Sequence, residues 1–256
     1  MAIVDEMASS LRRCLVATGD VERHKTDVPS CRTEHHGQTL RIAVLTATDA
    51  QARAWARLLM PLIQRPVGSR WPEVSIALHV QSWCLPLLGT FDEIHVADAS
   101  GLPTELLAEL STQTELFSLH YLAPPTVNPG FNWSSEAALA AYLAHLLLVL
   151  SGSSFFGLSW RDYLAHRNQL GHRRGTYIQA GSWDELRQSI RGLISSGSQV
   201  LSALLFLEGY SLTIGNYVDV CQLLEDVLPM DCRVSVCTLA GEEERYGFTL
   251  LVTSQA

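Results

Sequence analysis

From residue 40 onward the chain alternates short apolar runs with longer stretches in which apolar residues recur at helical spacing. The first kind reads as buried strand and the second as helix. LRIAVLT at 40–46 is a strand, and 49–64 is a helix with Ala52, Trp55, Ala56, Leu59 and Ile63 on one side. Pro66, Gly68 and Pro72 mark a loop. VSIALHV at 74–80 is a second strand, 82–88 a short helix and 93–97 a third strand. A helix over 102–110 and the strand LFSLHYL at 116–122 follow, closed by Pro124-Pro125. This rhythm predicts an α/β fold with a parallel, doubly wound sheet.

Residues 137–150 form a long helix, with Ser134 as its N-cap and Glu136 in the first turn. It is apolar nearly all round, so both of its sides should be covered. His145 interrupts it without a second ligand one turn away, and reads as a core histidine satisfied by hydrogen bonds rather than as a metal ligand. Beyond it, a loop and a short helix over 163–170 lead to a strand at 175–180. A helix at 183–195 is announced by Ser182, Asp184 and Glu185. QVLSALLFLE at 199–208 is a strand, 214–228 a helix, and 232–240 and 247–253 are strands, which is α+β order with antiparallel character at the end. Residues 1–39 open with an amphipathic stretch (Ile3, Val4, Met7, Leu11, Leu15) and continue without any period. The chain thus divides into an arm (1–39), an α/β half (40–133), a central helix (134–151) and an α+β half (152–256).

With 47% apolar and 17% charged residues, the 256-residue chain can bury a core of globular size. Among its 18 basic residues Lys25 is the only lysine, and it lies in a polar stretch. No G-x-x-x-x-G-K-[ST] loop exists, so a P-loop NTPase is excluded, as are kinase and Schiff-base chemistry that need a placed lysine. The net charge is −8 and no basic run exceeds Arg173-Arg174, which leaves counterion release little to work on, so nucleic acid is not expected as a partner. Six cysteines without a C-x-x-C pair fit a reduced cytoplasm. The first residues lack a basic n-region and an apolar h-region, so no signal peptide is expected. The longest apolar run, 137–150, is shorter than the ~20 residues a bilayer crossing needs, so no integral membrane segment is expected. The nine histidines are dispersed, and His35-His36, His24 with Cys31, and His166 with His172 lack zinc spacing; no metal is expected. There is no G-x-S-x-G elbow and no G-x-G-x-x-G after the first strand.

Several pieces of the second half, between residues 157 and 253, share an order and spacing. They are Gly157-Leu-Ser-Trp-Arg-Asp162, Gly175-Thr-Tyr-Ile-Gln-Ala-Gly-Ser-Trp-Asp-Glu-Leu-Arg, Leu204-Leu-Phe-Leu-Glu-Gly209-Tyr-Ser-Leu-Thr-Ile, Val234-Ser-Val-Cys-Thr-Leu-Ala-Gly and Tyr246-Gly-Phe-Thr-Leu-Leu-Val-Thr. In that order they resemble the C-terminal domain of the tubulin/FtsZ superfamily. The resemblance implies a two-half fold: a shortened Rossmann-like N-terminal half, the central helix, and the α+β half. It also directs attention to the turn after the third strand, where the family carries a run of glycines whose amides wrap the GTP phosphates. Here the turn reads Asp98-Ala-Ser100-Gly101-Leu-Pro-Thr104, with one glycine, a carboxylate at the phosphate position and a proline that lacks a donor. The turn after the first strand, Thr46-Ala-Thr-Asp49, lacks glycine as well. GTP is therefore not expected as a cofactor. In the loop that the resemblance assigns to the subunit contact, Ser159 stands at the first acidic position, and Arg161 and Asp162 complete it; Asp162 also reads as a helix N-cap.

The resemblance, taken with the loss of the glycine-rich phosphate turn, leads to the expectation of a non-catalytic protein that works by protein–protein contact, with itself or with another chain, as an assembly, scaffold or regulatory component. Two enzyme readings stand beside it. One is a polymerising GTPase with an altered phosphate loop that uses Asp162 across subunits. The other is an unrelated α/β enzyme using Asp49 and Asp98, which follow the first and third strands where α/β proteins place their sites.

Overall fold

The structure, a computed structural model, describes residues 38–63, 74–82, 91–98, 110, 118–122, 130–150, 156–195, 199–241 and 244–255. Among these, the first section of the chain contributes β1 (Gln38–Thr46), α1 (Asp49–Ile63), β2 (Val74–Ser82), β3 (Glu93–Val96), β4 (Ser118–Leu122) and β5 (Phe131–Trp133). Then come α2 (Glu136–Leu150), α3 (Trp160–Arg167), β6 (His172–Ala180), α4 (Trp183–Ser195), β7 (Val200–Gly209), α5 (Ile214–Val227), β8 (Arg233–Ala240) and β9 (Tyr246–Ser254). Residues 1–37 of the arm, the loop around Gly68, the turn at Pro124-Pro125 and all but the first residue of the 82–88 helix lie outside the described residues; Gln38 and Thr39, assigned to the arm from the sequence, belong to β1. Ser82 itself ends β2. Of the 102–110 helix only Leu110 is described, helical and buried.

The strands form one nine-stranded sheet in the order β2-β1-β3-β4-β5-β6-β9-β7-β8. The run from β2 to β6 is parallel throughout, β9 lies antiparallel between β6 and β7, and β8 is parallel to β7. This is the α/β architecture that the alternating pattern predicts, with the antiparallel pairing confined to the second section. The short strand β5 has no counterpart in the sequence reading, because three residues show no period. It nevertheless links the two sections, pairing with β4 on one side and β6 on the other.

Helix α2 is buried from Ala138 to Leu150, as its uniformly apolar sequence requires. It lies in one core cluster with Trp55, Leu59 and Leu62 of α1, with β1 and β5, and with Phe206 and Leu251 of β7 and β9. A second cluster joins α4 and α5 to the C-terminal strands, and a third covers Ile94, Val96, Leu119 and Tyr121 of β3 and β4. On α1 the buried side is Ala52, Trp55, Leu58, Leu59 and Leu62; Ala56 and Ile63 are half-buried at its margin.

Two helix starts differ from expectation. The residue before α2 is Ser135, whose Oγ accepts from the Ala138 amide at 3.1 Å, whereas Ser134 is held to the sheet by its own amide, which donates to Gly175 O. Helix α3 begins at Trp160, earlier than 163, because Ser159 is its N-cap.

Candidate functional site

From β1 the chain passes to β2 on one side and later to β3 on the other, so the topological switch point lies between the carboxyl ends of β1 and β3. Asp49 and Asp98 both stand at that end. An Asp49 carboxylate oxygen accepts from the Ser82 hydroxyl. Asp98 accepts from Gln51 Nε2 at 3.1 Å, and Gln51 Oε1 in turn accepts from the Thr48 amide and hydroxyl at 3.0 and 3.1 Å. Thr46 donates its hydroxyl to Thr48 O at 3.0 Å and tightens the turn. The two acids that the sequence singles out thus stand at the same end of the sheet, each held by a different donor. Ser100, Gly101 and Thr104 lie outside the described residues.

At the start of α3, Ser159 Oγ accepts from the Asp162 amide at 3.1 Å and donates to Asp162 Oδ2 at 2.6 Å. The N-cap is therefore Ser159, and Asp162 sits three residues inside, its carboxylate oriented by the cap. Arg161 and Asp162 are exposed. One turn on, His166 is buried between two hydroxyls, with Nδ1 at 2.5 Å from Ser202 Oγ and Nε2 at 2.8 Å from Ser235 Oγ.

The densest polar cluster, Glu93, His95 and His120 with their partners, is one that sequence reasoning missed. Glu93 and His95 alternate on one face of β3, and the register sets His95 beside His120 of β4. Glu93 is 1% exposed, yet its Oε1 accepts from Tyr142 of α2 at 3.0 Å and from Tyr163 of α3, and its Oε2 from His95 Nε2 at 2.7 Å. Burial works against the Glu93 charge, but the neighbouring His120 ring, the hydrogen bond and ring of His95 and the hydrogen bond from Tyr163 outweigh it and pull the carboxyl down to about 2. Burial first, then His95, pushes His120 well down, so its ring is neutral. A buried parallel strand ordinarily reads as an unbroken apolar run, so a Glu-x-His inside one was the available signal.

The Glu93, His95 and His120 donor atoms lie within 4.8 Å of one another, which invites a metal. Two features do not fit. Trp133 Nε1–H donates to His120 Nδ1 at 3.2 Å, which places the ring proton on Nε2, the nitrogen nearest Glu93. The His95 and His120 rings are also stacked, 4.3 Å apart at 24°, so their in-plane lone pairs cannot converge on one ion. The arrangement suits a hydrogen-bonded carboxylate hub. The adjoining cavity, bordered by Glu93, His120, Tyr163, His166 and Arg167, measures about 10 Å³, room for one water and not for a substrate.

His145 bridges Thr249 Oγ1 at 2.9 Å and Glu208 Oε2 at 2.9 Å, and Tyr177 donates to the other Glu208 oxygen at 2.7 Å. This is the satisfied core histidine that the sequence predicts. Its Thr-His-Glu order has the form of a catalytic triad, but Thr249 is fully buried and no reactant reaches it.

No family model and no curated protein matches the sequence. Among solved structures, the chain is similar to CetZ from Methanosaeta thermophila, at 11% identity and a TM-score of 0.46 over 85% of this chain and 87% of that one. It is similar to an FtsZ dimer from M. jannaschii, at 13% identity and a TM-score of 0.44 over 84% of this chain; it spans 55% of that FtsZ's length. CetZ2 from Haloferax volcanii, solved as a GTPγS-bound protofilament, gives 9% identity and a TM-score of 0.41 over 98% of this chain and 72% of that one.

Proposed function

We propose that the chain is a tubulin/FtsZ-like protein that holds no nucleotide and acts through protein contacts, as an assembly, scaffold or regulatory component. One observation carries this reading: the end of the sheet that holds the β1–β3 switch point carries two acids, Asp49 after β1, bonded to Ser82 of β2, and Asp98 after β3, bonded to Gln51 of α1. A triphosphate there would meet two carboxylates, each repelling a phosphate charge by about 1–4 kcal/mol at ~4 Å. The test is calorimetric titration with millimolar GTP and GDP, with Mg²⁺ present; a flat trace is expected, and saturable binding overturns the reading.

The same placement of Asp49 and Asp98 favours one second reading, an α/β enzyme that uses both acids. That reading requires alanine at the two positions to abolish an activity without lowering the melting temperature.

A further inference from the structure

Strand β2 closes one end of the sheet, paired only with β1 and at every position from Val74 to Ser82. Among the described residues no other strand lies against it. A free strand edge presents unpaired N–H and C=O groups, and edges that stay single are protected by charge, proline, a bulge or a cover. VSIALHVQS contains no charged residue, proline or glycine, and its register against β1 runs without a shift. The opposite end of the sheet differs. There β8 begins with an exposed Arg233, and its Thr238 exchanges hydrogen bonds with the Phe156 backbone, donating to Phe156 O at 3.1 Å and accepting from Phe156 N at 3.1 Å.

Ile76, Leu78 and Val80 alternate on one face of β2 and pack against the main core, yet they remain only half-buried. We infer that β2 pairs antiparallel with β2 of a second copy, across a two-fold axis at Leu78. In that register Ile76 faces the second copy's Val80 and Leu78 faces Leu78, while Ser75 on the other face meets the second copy's Gln81. Ala77 meets the second copy's His79 and Val74 its Ser82; the core-side face at the centre of the contact is apolar on apolar, and the strand is complementary to itself there. The strand carries no Asp, Glu, Lys or Arg, and His79 faces the second copy's Ala77 rather than its His79, so no like charges are set opposite one another, which favours a second copy as the occupant. Nine residues give an edge of about 30 Å, and a two-fold closes the contact into a dimer. The inference rests on the reading of the chain as a contact protein and names its partner.

Sedimentation velocity on the full chain over about 1–100 μM tests it. A wild-type dimer is expected. Ser75→Lys with Gln81→Lys, and separately Ser75→Glu with Gln81→Glu, should each give monomers, because like charges then face each other twice across the axis. Mixing the two variants should restore the dimer. Ser75 is exposed, and the Gln81 carbonyl that accepts from Thr46 is unchanged by either substitution. A wild-type monomer at every concentration overturns the inference, whether the edge is covered by another part of the chain or taken by a different protein. Dimers that survive the charged variants, or a mixture that stays monomeric, overturn it too. None of these outcomes bears on GTP titration, so the two proposals fail separately.

Discussion

His166 is a buried base whose two nitrogens each face a serine hydroxyl, an arrangement that a neutral imidazole satisfies with one donor and one acceptor. Burial above all, then the charge of Arg233, pushes its pKa down to about 4, against the pull of Asp162. In the unfolded chain the same ring titrates near ~6.5. Protons therefore bind the unfolded state first, so the contribution is complete above about pH 6.5, declines as the pH falls towards 4, and levels off below that. Between pH 7 and pH 5 the wild type should lose about 2 kcal/mol more stability than His166→Gln, measured as urea unfolding at each pH. Equal losses in the two proteins would mean that the ring is not held neutral by its burial. The sequence shows that His166 stands on a short helix; its burial follows from Ser202 and Ser235 on β7 and β8, which no local pattern announces.

Among the elements, the junction of β5 with β6 depends on one absent side chain. Gly175 is paired with Trp133 across these strands, and a Cβ at Gly175 would run into the indole. The indole has no room to yield, since it is 1% exposed, stacks on Tyr142 at 5.0 Å and donates to His120. Gly175→Ala should cost about 1–3 kcal/mol and change the near-ultraviolet circular dichroism of Trp133; an unchanged midpoint and spectrum would show that the junction relaxes freely. The sequence reading places Gly175 in a strand but not the reason for it. Helices α1, α4 and α5 and strand β7 are legible to within a residue or so, because each carries its own period. Strand β5 and the start of α2 are not: three residues hold no period, and Ser134 and Ser135 offer the same hydroxyl one position apart.

For the molecule as a whole, the β5–β6 ladder makes one sheet of both sections, and Glu93 ties β3 to α2 and α3 through Tyr142 and Tyr163. Opening either section would strand a buried carboxylate or two buried phenols without partners, which costs about 1–3 kcal/mol per group. The described core should therefore unfold in one cooperative step, with far-ultraviolet circular dichroism and tryptophan fluorescence giving coincident urea transitions. Two separated transitions would count against this coupling. At this scale no helix of the described residues is long and apolar enough to cross a membrane, in line with the short apolar run read from the sequence.

The sequence by itself determined the order and type of the long elements, the buried character of α2 and the acidic turns after β1 and β3. Each of these is a local property, set by neighbours within a few positions along the chain. Only the tertiary structure decided which donors of α1 and β2 hold Asp98 and Asp49, and that β2 is an edge. Only it could gather Glu93 with Tyr142 and Tyr163, 49 and 70 positions away, and set His120 beside His95. Strand order and register depend on how whole faces pack against one another, and a single strand's pattern is equally compatible with many partners.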